Sequence, residues 1–224
     1  MENSMTAKDY KWGSHRPFLN ALLDTTQIKD VTELGTGFFS TGTFLSRGLN
    51  VRSIENDLAW RDKVLEAFPD HKVEFHAMPG IQVGTRQREI PEEWVPIIRA
   101  SYRQLNLSGD LLFVDQFSGL RAYSIEETYN NFNFIVFHDS ERGGYGYDDM
   151  KYSNNYIRFD YKDLFVHTSM LYYRNTDFDL NEFKVSLAKY SQEYQDSEPQ
   201  ESIDYRMARA KWKENRKKKK KKKK

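Results

Sequence analysis

A carboxylate beside two closely spaced glycines is the first feature of this chain with chemical content. It occurs in Glu33-Leu34-Gly35-Thr36-Gly37-Phe38-Phe39-Ser40-Thr41-Gly42. Glycines let the backbone bend sharply and let a ligand approach it closely. The dinucleotide spacing Gly-x-Gly-x-x-Gly would need a third glycine at position 40, which is Ser40. Glu33 sets the charge of the loop, repelling a pyrophosphate and attracting a cation. A second carboxylate, Glu55, ends Val51-Arg52-Ser53-Ile54, 22 residues beyond Glu33. Nucleoside sites place an acid that accepts from ribose hydroxyls at about this distance, after the second strand. S-adenosylmethionine carries a sulfonium and an ammonium and no phosphate, and the loop chemistry favours it.

Two later segments supply reactive groups. Asp115 stands in Phe113-Val114-Asp115-Gln116-Phe117-Ser118-Gly119-Leu120-Arg121, and His138 and Asp139 stand in Phe137-His138-Asp139-Ser140-Glu141-Arg142. Asp115 and Asp139 could hold a divalent, Mg-like metal through oxygen ligands, lowering the pKa of a substrate hydroxyl. Alternatively, His138 or Asp115 acts as a metal-free general base. The plain structural readings are that each Asp caps a turn and that Arg121 and Arg142 form exposed ion pairs of little energetic weight. His15, in Lys11-Trp12-Gly13-Ser14-His15-Arg16-Pro17, is a candidate to close over a cofactor.

These groups need a scaffold, and the chain reads as five βα units. The expected strands are Asp30–Leu34, Val51–Ile54, Val73–His76, Leu111–Val114 and Phe134–Phe137. Helices are expected over Pro17–Leu23 with Ser14 as N-cap, through Phe44–Arg47, and over Leu58–Phe68, Glu92–Leu105 with Pro91 in its first turn, and Ser124–Asn131. Phe159–Tyr161 and Phe165–Tyr173 read as an antiparallel closing pair, and Asp179–Tyr194 has helical spacing. The glycine- and tyrosine-rich stretch Gly143–Tyr152 suits a mobile loop over a site. The expected fold is therefore α/β, a Rossmann-like, doubly wound, mainly parallel sheet with an antiparallel closing pair. Residues 1–195 form one domain and 196–224 a charged helix or disordered tail. In such a sheet, ligands lie outside the carboxyl ends of the strands, where Asp115 and Asp139 both fall.

With its acid-x-Gly-x-Gly motif and Glu55, the chain resembles the class I S-adenosylmethionine-dependent methyltransferases over roughly residues 12–140. The resemblance implies that Glu33, Gly35 and Gly37, with Thr36 between them, border the methionine part of the cofactor. It also implies that Glu55 holds the ribose and that His76 to Met78 lie near the adenine. The catechol-type enzymes are similar in their Asp after the fourth strand and Asp-Asn after the fifth, although the Asn position here is Ser140. The glucuronoxylan 4-O-methyltransferase-like group is similar in its His-Asp-x-x-Arg segment, intact here as His138 to Arg142. Its Val-Asp-Gly-Pro segment is broken here by Gln116 and Phe117. Those resemblances imply O-methylation of a hydroxyl on a small molecule or carbohydrate.

Composition narrows the alternatives. The chain has 224 residues, no cysteine, and 34 Lys plus Arg against 33 Asp plus Glu. Eight of the basic residues are the run Lys217–Lys224; without them, 26 basic against 33 acidic residues leave a body of charge −7. An acidic body is a poor general surface for a polyanion, so nucleic acid binding would fall to the lysine run. The competing expectation is a catalytically inactive protein of the same fold that binds nucleic acid through that run. Without cysteine there are no disulfides, thiolate zinc sites or cysteine nucleophiles. No apolar stretch approaches membrane-span length and Met1 to Lys11 is polar, so the expectation is a cytoplasmic protein.

Overall fold

A seven-stranded sheet in the order β3-β2-β1-β4-β5-β7-β6 organises the protein. The structure is a computed structural model that describes residues 6–78, 80–82, 84–164 and 166–204. The strands are β1 (Asp30–Leu34), β2 (Asn50–Glu55), β3 (Val73–Phe75), β4 (Leu111–Val114), β5 (Phe134–His138), β6 (Tyr156–Tyr161) and β7 (Thr168–Tyr173). The helices are α1 (Ala7–Trp12), α2 (Arg16–Asp24), α3 (Ser40–Ser46), α4 (Leu58–Ala67), α5 (Val95–Gln104), α6 (Arg121–Thr128) and α7 (Leu180–Asp196). β1 to β5 run parallel, and β7 is antiparallel to both β5 and β6. Among the described residues no helix is long and apolar enough to cross a membrane. The lysine run Lys217–Lys224 lies outside the described residues.

The central strands read as unbroken apolar runs because both faces of the sheet are covered. Side chains alternate between two cores with the period of two that a strand imposes. Val31, Leu111, Phe113, Phe134 and Val136 face a core completed by Phe18 and Leu22 of α2 and Phe183 and Leu187 of α7. Leu34, Leu112, Val114, Ile135 and Phe137 face the other, with Ile98 and Tyr102 of α5 and Ile125 of α6. The strand order reverses between β1 and β4, so the loops leaving these two strands diverge and open a crevice at their carboxyl ends.

Several local expectations are corrected. The polar N-terminus forms α1 through a capping box: the Thr6 hydroxyl accepts from the Asp9 amide and the Asp9 carboxylate accepts from the Thr6 amide, both at 3.2 Å. Ser14 does not cap α2. The N-cap is His15, without a side-chain cap bond, and Ser14 turns inward instead. A 3-10 turn over Glu92–Trp94 precedes α5, which places Pro96 rather than Pro91 in the first α-helical turn. The stretch from Gly143 is anchored by Tyr147 and Met150, both buried, so it is not a free loop over the site.

Candidate active site

The crevice holds a cavity of about 510 Å³. One part of its lining is Thr36, Gly37, Phe38, Glu55, Asp57 and Trp60, around the glycine loop and β2, and another is His15, Asp115, Arg121, His138, Asp139 and Tyr145.

At the first end, the glycine loop is tied to β2. Gly35 has φ +86°, a left-handed conformation that L side chains avoid. A Cβ there would run into the backbone of Asp115 and Gln116, because the loops after β1 and β4 meet at this point. Glu55 fixes the next residues. Its Oε2 accepts from the Thr36 amide (3.0 Å) and hydroxyl (3.2 Å), and its Oε1 from the amides of Asn56 (2.7 Å) and Asp57 (2.9 Å). Both lone pairs of each oxygen are engaged. Burial raises the Glu55 pKa, opposed by the hydrogen bonds from Asp57, Asn56 and Thr36. The Gly37 amide donates to the Thr41 hydroxyl (3.2 Å), and the Trp60 indole N–H donates to the Thr36 carbonyl (2.7 Å). Trp60 meets Phe38 and Trp12 edge to face, at 5.3 and 5.9 Å between centroids.

Three residues expected here lie elsewhere. Glu33 is fully buried and does not line the cavity; its Oε2 accepts from the hydroxyls of Thr41 (2.7 Å) and Ser53 (2.8 Å). Its Oε1 has no hydrogen-bond partner among the described residues. Burial pushes its pKa up to about 7, opposed by the hydroxyls of Ser40, Thr41 and Ser53, so Glu33 braces the loop from beneath and supplies no rim charge. The rim carboxylates are Glu55, Asp57, Asp115 and Asp139. Gly35 forms the floor contact just described rather than the wall. His76 is also off the cavity, with Nε2 2.6 Å from the Ser101 hydroxyl and its backbone carbonyl accepting from the Asn56 amide side chain (2.7 Å). Thr36, Gly37 and Glu55 do line the cavity.

At the second end, the expected trio Asp115, His138 and Asp139 converges. Asp139 has φ +57°, which turns its side chain back toward β4. Arg121, at the start of α6 and buried, binds the whole group. Its guanidinium lies 2.7 Å from Asp115 Oδ1 and 3.6 Å from Asp139 Oδ2, and donates to the backbone carbonyls of Gln116 (2.7 Å) and His138 (2.9 Å). The Tyr145 ring lies 4.6 Å from it. Desolvation alone would raise the Asp115 pKa; the charges of Arg121 and His138 outweigh it and hold Asp115 below the usual carboxylate range. Between Asp115 and Asp139, the pair expected to hold a metal, the cation the structure places is the Arg121 guanidinium. Arg142, the exposed member, reaches Asp139 Oδ1 at 3.1 Å.

His138 Nδ1 lies 3.4 Å from Asp115 Oδ2, and Nε2 lies 3.0 Å from the Ser14 hydroxyl. Beside it, His15 packs edge to face, with centroids 4.9 Å apart. His15 is 3% exposed, and neither ring nitrogen has a hydrogen-bond partner among the described residues. Burial first, and then the neighbouring His138, lower its pKa to about 3, so it is a neutral imidazole.

Sequence reasoning underrated Arg121, which it treated as an exposed partner, and missed Ser14, Trp60 and Tyr145 as site residues.

No protein-family model and no curated protein matches this chain. Among solved structures, it is similar to the N-methyltransferase NodS from Bradyrhizobium japonicum WM9, at 10% identity over 73% of this chain and 96% of that one, with a TM-score of 0.44. It is also similar to human methyltransferase-like protein 13 in complex with SAH, at 10% identity, 84% and 90% coverage, and a TM-score of 0.44. A methyltransferase from Pyrococcus furiosus gives 11%, 73% and 82%, and a TM-score of 0.41.

Proposed function

We propose that this protein is an S-adenosylmethionine-dependent methyltransferase acting on a hydroxyl of a small molecule or carbohydrate. The observation that carries this reading is the state of the glycine loop. The Thr36 and Gly37 amides, the groups that would cradle a pyrophosphate, are spent on Glu55 and Thr41. Four carboxylates line the adjoining cavity with Lys11, Arg121 and Arg142, and both arginines are engaged by Asp115 or Asp139, which leaves Glu55 and Asp57 as the charges beside the loop. Such a site disfavours a phosphorylated nucleoside and favours one carrying positive charge and no phosphate.

In this reading the nucleoside lies between Glu55, Asp57 and the Trp60–Phe38 wall. A ribose hydroxyl reaches Glu55 by taking the place of the Thr36 hydroxyl, the one donor of the four that can rotate away. The sulfonium then points toward Asp115, whose charge is secured by Arg121. The acceptor oxygen enters beside His138 and Asp139, attacks the methyl carbon, and forms an O–C bond as the S–C bond breaks. The sulfonium becomes a neutral thioether. The proton released from the hydroxyl falls to the Asp115–His138 group, where positioning and a fixed field lower the barrier.

Calorimetry with S-adenosylhomocysteine tests the cofactor assignment. Wild-type protein binds it, Glu55→Ala weakens binding at least tenfold, and NAD gives no heat. Absence of S-adenosylhomocysteine binding, or binding indifferent to Glu55→Ala, removes the assignment. Methyl transfer from labelled cofactor to a panel of sugars and phenols then tests the hydroxyl preference, and products found only on amines would overturn it.

A further inference from the structure

We propose that His15, His138 and Asp115 form a binding site for a borderline transition-metal cation of the zinc or cobalt class. One ligand atom from each of the three residues lies within 4.8 Å of the other two, and all three residues line the cavity. The site does not depend on the methyltransferase reading; with an ion bound, His138 and Asp115 serve as its ligands and a hydroxyl acceptor's proton would leave to solvent rather than to that pair.

His15 points to a ligand. It is 3% exposed, and both of its ring nitrogens lack a hydrogen-bond partner among the described residues. Buried polar groups are nearly always paired, so a neutral imidazole held this way calls for an occupant. The contact between His138 Nδ1 and Asp115 Oδ2, at 3.4 Å, is longer than a good hydrogen bond of about 2.7–3.2 Å. It fits two ligands sharing one ion, since donors each about 2.0–2.2 Å from a metal sit roughly 3–3.5 Å apart.

The surroundings are those of a ligand set. Metal-bound histidines donate their second ring N–H to a fixed acceptor, and His138 Nε2 lies 3.0 Å from the Ser14 hydroxyl. The other oxygen of Asp115 is held by Arg121 at 2.7 Å. Phe113 packs against His15 at 5.1 Å between centroids and supplies an apolar wall. Two imidazoles and one carboxylate suit zinc, cobalt or ferrous iron rather than magnesium, which prefers an all-oxygen shell. Asp139 takes no part, because both its oxygens face arginines. Three protein ligands leave an open position toward the cavity, where a bound water or hydroxyl would lose its proton more readily.

The test uses untagged full-length protein stripped with chelator and titrated with Co2+, Zn2+ and Mg2+. The expected result is one equivalent of Co2+, visible d–d bands, displacement of Co2+ by Zn2+, and no Mg2+ binding. His15→Ala and His15→Phe should each weaken Co2+ binding at least tenfold; the Phe variant keeps a ring against Phe113 and guards against simple misfolding. Asp139→Asn should leave Co2+ affinity unchanged. No stoichiometric Co2+ or Zn2+ binding, binding indifferent to both His15 variants, or loss through Asp139→Asn would each overturn the proposal. S-adenosylhomocysteine calorimetry on the same samples reports separately on the cofactor site.

Discussion

The two ends of the cavity satisfy their polar groups by opposite means. At the glycine-loop end, Glu55 is saturated by three backbone amides and the Thr36 hydroxyl, from the loop after β1 and from its own neighbours, all within about twenty residues in sequence. At the end around Arg121, charges are met by charges: Arg121 lies between Asp115 and Asp139, and the one remote segment brings His15, without a hydrogen-bond partner among the described residues, beside His138. The first arrangement is rigid and holds a shape. The second keeps free capacity, the usual mark of a place where something must bind or react.

The largest effect should come from the point that joins the ends. Gly35→Ala places a Cβ against the backbone of Asp115 and Gln116 at φ +86°, and should cost above about 4 kcal/mol or prevent folding. Gly48→Ala, at φ +69° with open space around it, should cost only about 1–2 kcal/mol. Denaturant midpoints compare the two, and similar losses would mean that the ends do not share a floor.

Next is the charge network around Arg121. Arg121→Met leaves Asp115 and Asp139 facing each other without their buried cation and should cost about 3–5 kcal/mol. Arg142→Met removes an exposed partner and should stay within about 1 kcal/mol. Equal losses in urea unfolding would contradict the assignment of Arg121 as the centre of the network.

Glu33 supplies a pH signature beneath the glycine loop. Its folded pKa of about 7 lies above its ordinary value of 4.5, so between these values the folded state holds more protons than the unfolded one. Its contribution to stability is therefore greatest below pH 4.5, declines as pH rises to about 7, and is flat above. Glu33→Gln should remove this slope. At about 1.4 kcal/mol per pH unit, the wild-type-minus-variant difference should fall by no more than about 3.5 kcal/mol across the window. A difference independent of pH would show that Glu33 is ionised in the fold.

The smallest effect sharpens the contrast. Trp60→Phe keeps a ring on the wall but loses the bond to the Thr36 carbonyl, and should weaken S-adenosylhomocysteine about fivefold, the value of one hydrogen bond near 1 kcal/mol. The same variant should leave Co2+ affinity unaltered.

The sequence determined the sheet and where it would open. Apolar runs such as Leu111–Val114 admit only a strand covered on both faces, and β1 and β4 have the bounds expected from that pattern. The Gly35–Gly37 bend and Glu55 were legible because their contacts are local: a spacing along the chain maps directly onto a spacing in space. Asp115, His138 and Asp139 were legible for a related reason, since topology alone sends strand ends to one edge of the sheet. Tertiary structure alone decided which way side chains turned. Glu33 carries the motif yet faces inward, because strand alternation puts it on the face opposite Leu34, where Ser53 of β2 and Thr41 of α3 supply hydroxyls. Arg121 becomes a buried bridge because α6 begins at the carboxyl ends of the paired strands β4 and β5, where Asp115 and Asp139 meet. Ser14 and His15 enter the site only when the segment before α2 is brought to His138, a contact spanning 124 residues between Ser14 and His138 that no local pattern of residue types encodes.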